Sequence, residues 1–331
     1  MSARPPGPEL PEGYLLRRPT PEDAEAVAQL MIAVDIGETG QPDTSVQDVR
    51  DDWELPRFAL GRDAWVVNAG PTPSRGPLVA YAWVWDRVPH VDLQGDLYVH
   101  PEHRGRGIEP VLLRLLEERT SEHVASAPSG ETVRLGVFTL ADTPLVQDLV
   151  DRGYEHVRTF LRMTIDLTQG YPSTPAIPGI EIRPFRRGVD EPILHRVIEE
   201  SFADHYRFAA EPHEEWVARR TGHAEFDPTL WLVAWEGTES VAGVLTYQFE
   251  DLSWIRELGV RPAWRGKGIG KALLLETFRE FARRGRNRVS LGVDAANASG
   301  ATRLYESVGM REEQRHDLYQ WTAGKARGDR G

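Results

Sequence analysis

Apolar and polar positions along the chain spell out the same series of elements twice. Leu15-Leu16-Arg17-Arg18-Pro19 leads into a helical segment from Pro21 to Asp35, and Ile180-Glu181-Ile182-Arg183-Pro184 leads into another from Val189 to His205. Trp65-Val66-Val67 and then Leu78 to Trp85 are matched by Trp231-Leu232-Val233 and then Val241 to Phe249. Asp96 to Ile108 is matched by Glu257 to Ile269, Val133 to Phe138 by the strand at Arg288 to Val293, and Leu145 to Tyr154 by Arg303 to Met310. The offset is that of a duplicated domain, far longer than a solenoid period. Thr168 to Gly179 has the composition of a linker. The expected organisation is therefore a flexible tail at 1–12, one domain at 13–167, a linker at 168–179, a second domain at 180–323 and a charged, glycine-rich tail at 324–331.

Composition narrows the function classes. A chain of 331 residues accommodates two ordinary domains. A net charge of −12 makes it a poor general nucleic-acid binder. No apolar run is long enough to span a bilayer, and the Pro-rich start from Met1 to Pro11 has no apolar signal segment, so a cytoplasmic, soluble protein without membrane partners is expected. The chain has no cysteine, which excludes disulfides, thiolate metal sites and a cysteine acyl-enzyme. No His/Asp/Glu cluster shows metal-ligand spacing along the sequence, and the expectation is no metal. The arginines at 279, 283, 284, 286 and 288 fall at the end of a helix, where cations offset the dipole and the last carbonyls.

One stretch carries the chemistry. Trp254 to Val260 is a short strand, Pro262 opens a turn, and Gly266, Gly268 and Gly270 precede an apolar-faced helix. Consecutive backbone N–H groups at such a helix start can close on an anion, and a pyrophosphate suits them. It is not a P-loop, since Arg265 stands where a glycine is required and Ala272 where Ser or Thr is required; Lys271 in turn breaks the dinucleotide fingerprint. The pattern Arg265-x-x-Gly268-x-Gly270 after Glu-Leu-Gly-Val resembles the acetyl-CoA pyrophosphate loop of the GNAT N-acetyltransferases. A second stretch, Asn297 to Met310, resembles that family's Asn-x-x-Ala-x-x-Leu-Tyr-x-x-x-Gly-Phe segment, with Ser299-Gly300 shifting the alanine by one and Met310 replacing the aromatic.

The resemblance implies an α/β (mixed α+β) fold of two tandem GNAT domains, each a central mixed sheet flanked by helices. It implies that acetyl-CoA is the cosubstrate and that acetyl passes directly to an amine of a small molecule or peptide in a ternary complex. Leu258 and Val260 would pair with the pantetheine arm like an added strand, with the Val260 N–H polarising the thioester. Arg265, Gly266, Lys267, Gly268, Ile269, Gly270 and Lys271 would hold the pyrophosphate, with Asn297 as a further CoA contact. Tyr305 matches the family's general-acid position. The base is open between Glu257, beside the loop on the strand, and the pair Asp204 and His205. The string Phe202-Ala203-Asp204-His205-Tyr206 resembles the tandem members that include mycothiol synthase. Asp204, His205 and Trp254 are candidate acceptor contacts; Trp254, Trp264 and Tyr247 could line the acceptor site, but an aromatic core suits them better.

The first copy departs at three ligand-facing positions, with Glu109 for Gly270, Ala141 for Asn297 and Leu149 for Tyr305. It is expected to be a degenerate domain that shapes or supports the second. A different class of function, a non-catalytic acyl-CoA-binding regulatory or interaction protein, remains as the alternative. An intact Tyr305 favours the enzyme. Monomer and homodimer are equally compatible with the sequence.

Overall fold

The computed structural model describes residues 9–40, 42, 44–70, 76–206, 208–222, 225–249, 252–297 and 300–324. Residues 1–8 of the expected tail 1–12, residues 325–331 of the expected tail 324–331, and Ala298 and Ser299 of the second motif lie outside the described residues. In chain order the first repeat holds β1 (Tyr14–Arg17), α1 (Ala24–Thr39), α2 (Val46–Trp53), α3 (Leu60–Asp63), β2 (Ala64–Ala69), β3 (Leu78–Val88), β4 (Asp92–Val99), α4 (Ile108–Glu122), β5 (Arg134–Leu140), α5 (Pro144–Asp151) and β6 (Glu155–Asp166). The second holds β7 (Ile180–Pro184), α6 (Glu191–Phe202), α7 (His213–Thr221), β8 (Leu232–Glu236), β9 (Glu239–Gln248), β10 (Ser253–Val260), α8 (Ile269–Arg283), β11 (Arg288–Asp294), α9 (Ala301–Glu306) and β12 (Arg311–Thr322). The duplication and the mixed fold class expected from the sequence are both present.

Contacts divide the chain into two compact units, residues 1–157 with 317–331, and residues 158–316. The expected ranges 13–167 and 180–323 differ from these by two strands. Arg158–Asp166 of β6 belong to the second unit, where they pair antiparallel with β11. Asp317–Thr322 of β12 belong to the first unit, and Ala323 N–H donates to Val133 O at 3.0 Å. Side-chain periodicity reports which faces a strand buries, not which neighbour it pairs with, so this exchange has no signature in the pattern. Within the expected linker, Tyr171 and Ile177 pack on the core of the second unit, with Tyr171 edge-on to Phe278 at 5.9 Å.

In the second unit the strand order is β6-β11-β10-β9-β8-β7. β7, β8, β9 and β10 are antiparallel neighbours, and β10 runs parallel to β11. One face packs α8 through Leu273, Leu274, Phe278 and Phe281. The other packs α6 and α7 through Leu194, Ile198, Trp216 and Trp231. α6 is drawn close to β10 because Gly259 has no side chain; a Cβ there would lie 2.8 Å from Ser201 Cβ. The first unit repeats this plan with α4 on one face and α1 and α2 on the other.

Candidate functional site

α8 begins without a side-chain cap. Its N-cap, Gly268, takes φ +83°, a left-handed conformation that glycine adopts without strain, as does Gly266 at +77°. Among the described residues, none of the backbone N–H groups from Gly266 to Lys271 meets an acceptor. Six backbone donors therefore lie together at the positive end of a 15-residue helix. Gly270 stands inside the first turn, where a Cβ would come within 3.3 Å of Val260 Cγ2 and 3.4 Å of Leu304 Cδ2.

Beside this loop the sheet opens. β10 and β11 pair only at Ser253, Trp254 and Ile255, and a β-bulge at Arg256 interrupts the register of β10 with β9. The bulge puts Trp254 and Glu257 on the α6/α7 face and Ile255 and Leu258 on the α8 face. Arg261 N–H donates to Val241 O at 3.0 Å, and alternation along the strand then turns the backbone groups of Gly259 toward β9 and those of Leu258 and Val260 toward the gap. An extended ligand entering the gap would meet those groups as a neighbouring strand would.

The gap is part of a cavity of about 460 Å³ within the second unit. Of the sequence-predicted residues, Glu257, Leu258, Val260, Arg265, Gly266, Gly268, Ile269, Gly270, Lys271, Asn297, His205 and Tyr305 line it. Lys267, Asp204 and Trp254 do not. Trp254 packs with the aromatic core under the Arg162 guanidinium, 5.3 Å from its ring centroid. Tyr247 is likewise core, donating its hydroxyl to Arg220 O at 3.1 Å. Trp264 lines the cavity and donates its indole N–H to Glu236 at 2.9 Å.

Tyr305 is 8% exposed, and burial pushes its phenol up to about 12. It is therefore protonated at neutral pH and able to donate. Glu257 accepts from Arg220 Nη2 at 2.5 Å through Oε1, while its buried Oε2 has no hydrogen-bond partner among the described residues. Arg220 was not legible as part of the site, since nothing in α7 marks it beyond a pair of arginines. His205 packs on Phe202 with ring centroids 4.4 Å apart. Burial holds its imidazole below the usual range, with the Asp204 carboxylate acting in the opposite direction. Arg265 does not turn its guanidinium to the loop amides. It donates to Val260 O, Ser201 O and Asp204 at 3.2, 2.8 and 2.8 Å, fastening the loop to the end of α6.

The first unit builds the same loop and then fills it. Gly105 and Gly107 take φ +68° and +87°, and Arg104 Nε donates to Val99 O at 3.2 Å as Arg265 does to Val260 O. Glu109, in place of Gly270, turns back so that its Oε1 accepts from Gly105 N–H at 3.1 Å. A carboxylate of the chain thus occupies the anion cradle. Leu149, in place of Tyr305, is wholly buried in the core. β3 and β4 stay in register through Gly95 and Asp96, with no bulge where β10 has one.

The acetyltransferase (GNAT) family model matches residues 194–310, which hold most of α6, the loop and Tyr305. A mycothiol acetyltransferase of Kineococcus radiotolerans is 35% identical over 246 residues, covering 71% of this chain and 75% of that protein. Another from Streptomyces scabiei is 31% identical over 238 residues, 70% of this chain and 73% of that one. A crystal structure of a GCN5-related N-acetyltransferase from Sphaerobacter thermophilus is similar along nearly the whole length, with a TM-score of 0.81, 34% identity, and 95% of this chain and 97% of that chain covered. A tandem GNAT protein from the clavulanic acid biosynthesis pathway, 16% identical, shares the fold at a TM-score of 0.67 over 95% of this chain and 99% of that chain. With loop, gap and duplication all in agreement, the chain belongs to the GNAT acetyltransferases as a tandem member, and it is an acyltransferase.

Proposed function

We propose that residues 158–316 transfer acetyl from acetyl-CoA directly to an amine of a small molecule or peptide while both are bound. The observation that carries this reading is the gap between β10 and β11, which joins the uncapped start of α8 to Tyr305 within one cavity. When bound, acetyl-CoA supplies an activated thioester. The amides of Gly266 to Lys271 hold its pyrophosphate, Lys271 and Lys267 add positive charge, and Asn297 lies on the cavity wall as a further contact. Leu258 and Val260 pair with the pantetheine arm, and the Val260 N–H polarises the carbonyl. Glu257 takes the amine proton through Oε2, with Arg220 holding the carboxylate in place through Oε1. Tyr305 delivers a proton to the departing sulfur. His205, lining the same cavity, contacts the acceptor, and Asp204 acts through Arg265.

Relatives bearing the name mycothiol acetyltransferase favour a small-molecule acceptor over a peptide. The test is thiol release from acetyl-CoA against aminoglycosides, polyamines, a cysteinyl pseudodisaccharide and peptide N-termini. Acetylation of one class, reduced about 100-fold in kcat by Glu257→Gln, supports the reading. If instead the acid limb of the rate profile survives in Glu257→Gln and disappears in His205→Gln, the base is His205. A non-catalytic acyl-CoA-binding protein is the second reading; acetyl-CoA binding without turnover on any amine would select it.

A further inference from the structure

The two histidines nearest each other in the first unit come from distant parts of the sequence. His90 sits in the turn between β3 and β4, and His123 follows the last residue of α4. Their Nδ1 atoms are 2.9 Å apart. Asp86, near the end of β3, directs Oδ2 at both, 4.0 Å from His90 Nδ1 and 3.8 Å from His123 Nδ1. The three side chains offer ligand atoms that all lie within 4.8 Å of one another. We propose that Asp86, His90 and His123 form a binding site for a divalent transition-metal ion of the zinc class, unrelated to the acetyl-transfer cavity of the second unit.

Ligands at about 2.0–2.2 Å around a tetrahedral ion stand about 3.3 Å from one another. The three separations here bracket that value, so small side-chain rotations close the site. The donor set is two imidazoles and one carboxylate, borderline ligands that suit zinc, cobalt and nickel and leave a fourth position for water. The chain also prepares the carboxylate: Asp86 Oδ1 accepts from His90 N–H at 2.8 Å, which orients Oδ2 toward the rings. His90 holds φ at +57°, a left-handed conformation that is uncommon outside glycine and keeps its ring over the trio. Asp86 and His123 are buried, and His90 remains partly exposed, which leaves an entry path.

Neighbouring charge does not forbid a cation. Arg119, the cation facing His123 from α4, is neutralised by Asp63 at 2.6 Å and Glu122 at 3.1 Å. Arg57, near the hairpin, spends its guanidinium on the carbonyls of Asp86 and Arg87. Arg87 pairs with Asp92. A bound ion would clip the β3–β4 turn to the end of α4, joining segments that no covalent bond links. The sequence did not announce this, because Asp86-x-x-x-His90 supplies two of the three ligands and the third arrives through the fold.

The test uses the full-length chain stripped by a chelator and titrated with Co²⁺ and Zn²⁺. Expected are one tight Co²⁺ site per chain with the visible absorption of a low-coordinate ion, displacement by Zn²⁺, and a rise of several degrees in Tm at saturating Zn²⁺. His90→Gln, at the partly exposed position, should lower the affinity at least 10-fold with the metal-free Tm kept, and Asp86→Asn should do the same. His195→Gln, in the separate His195–His213 pair of the second unit, should leave the binding unchanged. Absence of saturable binding, or equal binding by His90→Gln, would overturn the site and reduce the trio to a histidine–histidine hydrogen bond.

Discussion

Arg265 grips both carboxylate oxygens of Asp204, with Nη1 2.8 Å from Oδ2 and Nη2 3.4 Å from Oδ1. The arginine of the phosphate-loop pattern thus serves the loop from behind, and its charge is largely answered by a protein carboxylate. The Asp204 side chain is 62% exposed, so the ion pair alone is worth little. The bonds to Ser201 O and Val260 O are better shielded and matter more. Arg265→Ala should therefore raise the KM for acetyl-CoA about 10-fold, a loss of about 1–2 kcal/mol, with kcat little changed. Asp204→Asn should have a smaller effect. Equal effects of the two substitutions, or an unchanged KM in Arg265→Ala, would mean that the loop holds its shape without this anchor.

The loop was readable because glycines and a following apolar face are local signals; φ values at Gly266 and Gly268 are what a residue without Cβ permits. The duplication was readable for the same reason, each repeat carrying its own periodicity. What could not be read depends on neighbours far along the chain. The exchange of β6 and β12 between units leaves every residue on a sensible face and changes only its partner. Arg220 joins Glu257 only through the fold, and no spacing rule connects residues 37 apart. Trp254, for which an aromatic core was the expected role, packs against the cluster of Trp231 and Tyr247, and the bulge at Arg256 after it sets Glu257 on the same face. Bulges cost no composition, so they escape pattern reading.

Tyr305→Phe isolates the phenol. The ring stays buried among Leu273, Val293 and Met310, so folding and acetyl-CoA affinity should hold. The donor to the sulfur is lost, and kcat should fall about 100-fold where chemistry limits the rate. Pre-steady-state measurement of the acetyl-transfer step checks this. An unaltered rate constant would leave Tyr305 a packing residue.

Acid should loosen α6 through Asp190. Its carboxylate, wholly buried, accepts from Arg186 N–H at 2.9 Å and from the Arg186 guanidinium at 3.1 and 2.9 Å. Burial alone would raise its pKa, but the bonds and charge of Arg186 prevail and the net direction is downward. A folded-state pKa below the unfolded value means stabilisation that is present above about pH 4 and lost as pH falls through the folded pKa. Asp190→Asn should cost about 1–3 kcal/mol in urea unfolding at neutral pH. The difference from the parent should shrink as pH is lowered from about 5 toward 3. A pH-independent difference would assign the loss to geometry alone.

Gly270→Glu should convert the working loop into the filled one. In the first unit Glu109 accepts from Gly105 N–H at 3.1 Å, and Gly270 and Gly266 are the corresponding positions. A Cβ at 270 would stand 3.3 and 3.4 Å from the methyl ends of Val260 and Leu304, which must give by a few tenths of an ångström for the new side chain to turn back. Once there, a carboxylate competes with the pyrophosphate for the same amides and repels it, by about 1 kcal/mol or more at partial screening. Acetyl-CoA affinity should drop at least 100-fold in calorimetry while the Tm is held, because the helix start gains an internal acceptor at its positive end. The converse, Glu109→Gly, frees the Gly105 N–H but restores neither a tyrosine at Leu149 nor the bulge of β10. It should therefore add weak acetyl-CoA binding and no turnover. Undiminished binding by Gly270→Glu would show that a side chain at that position does not reach the cradle, and that the first copy lost its ligand for another reason.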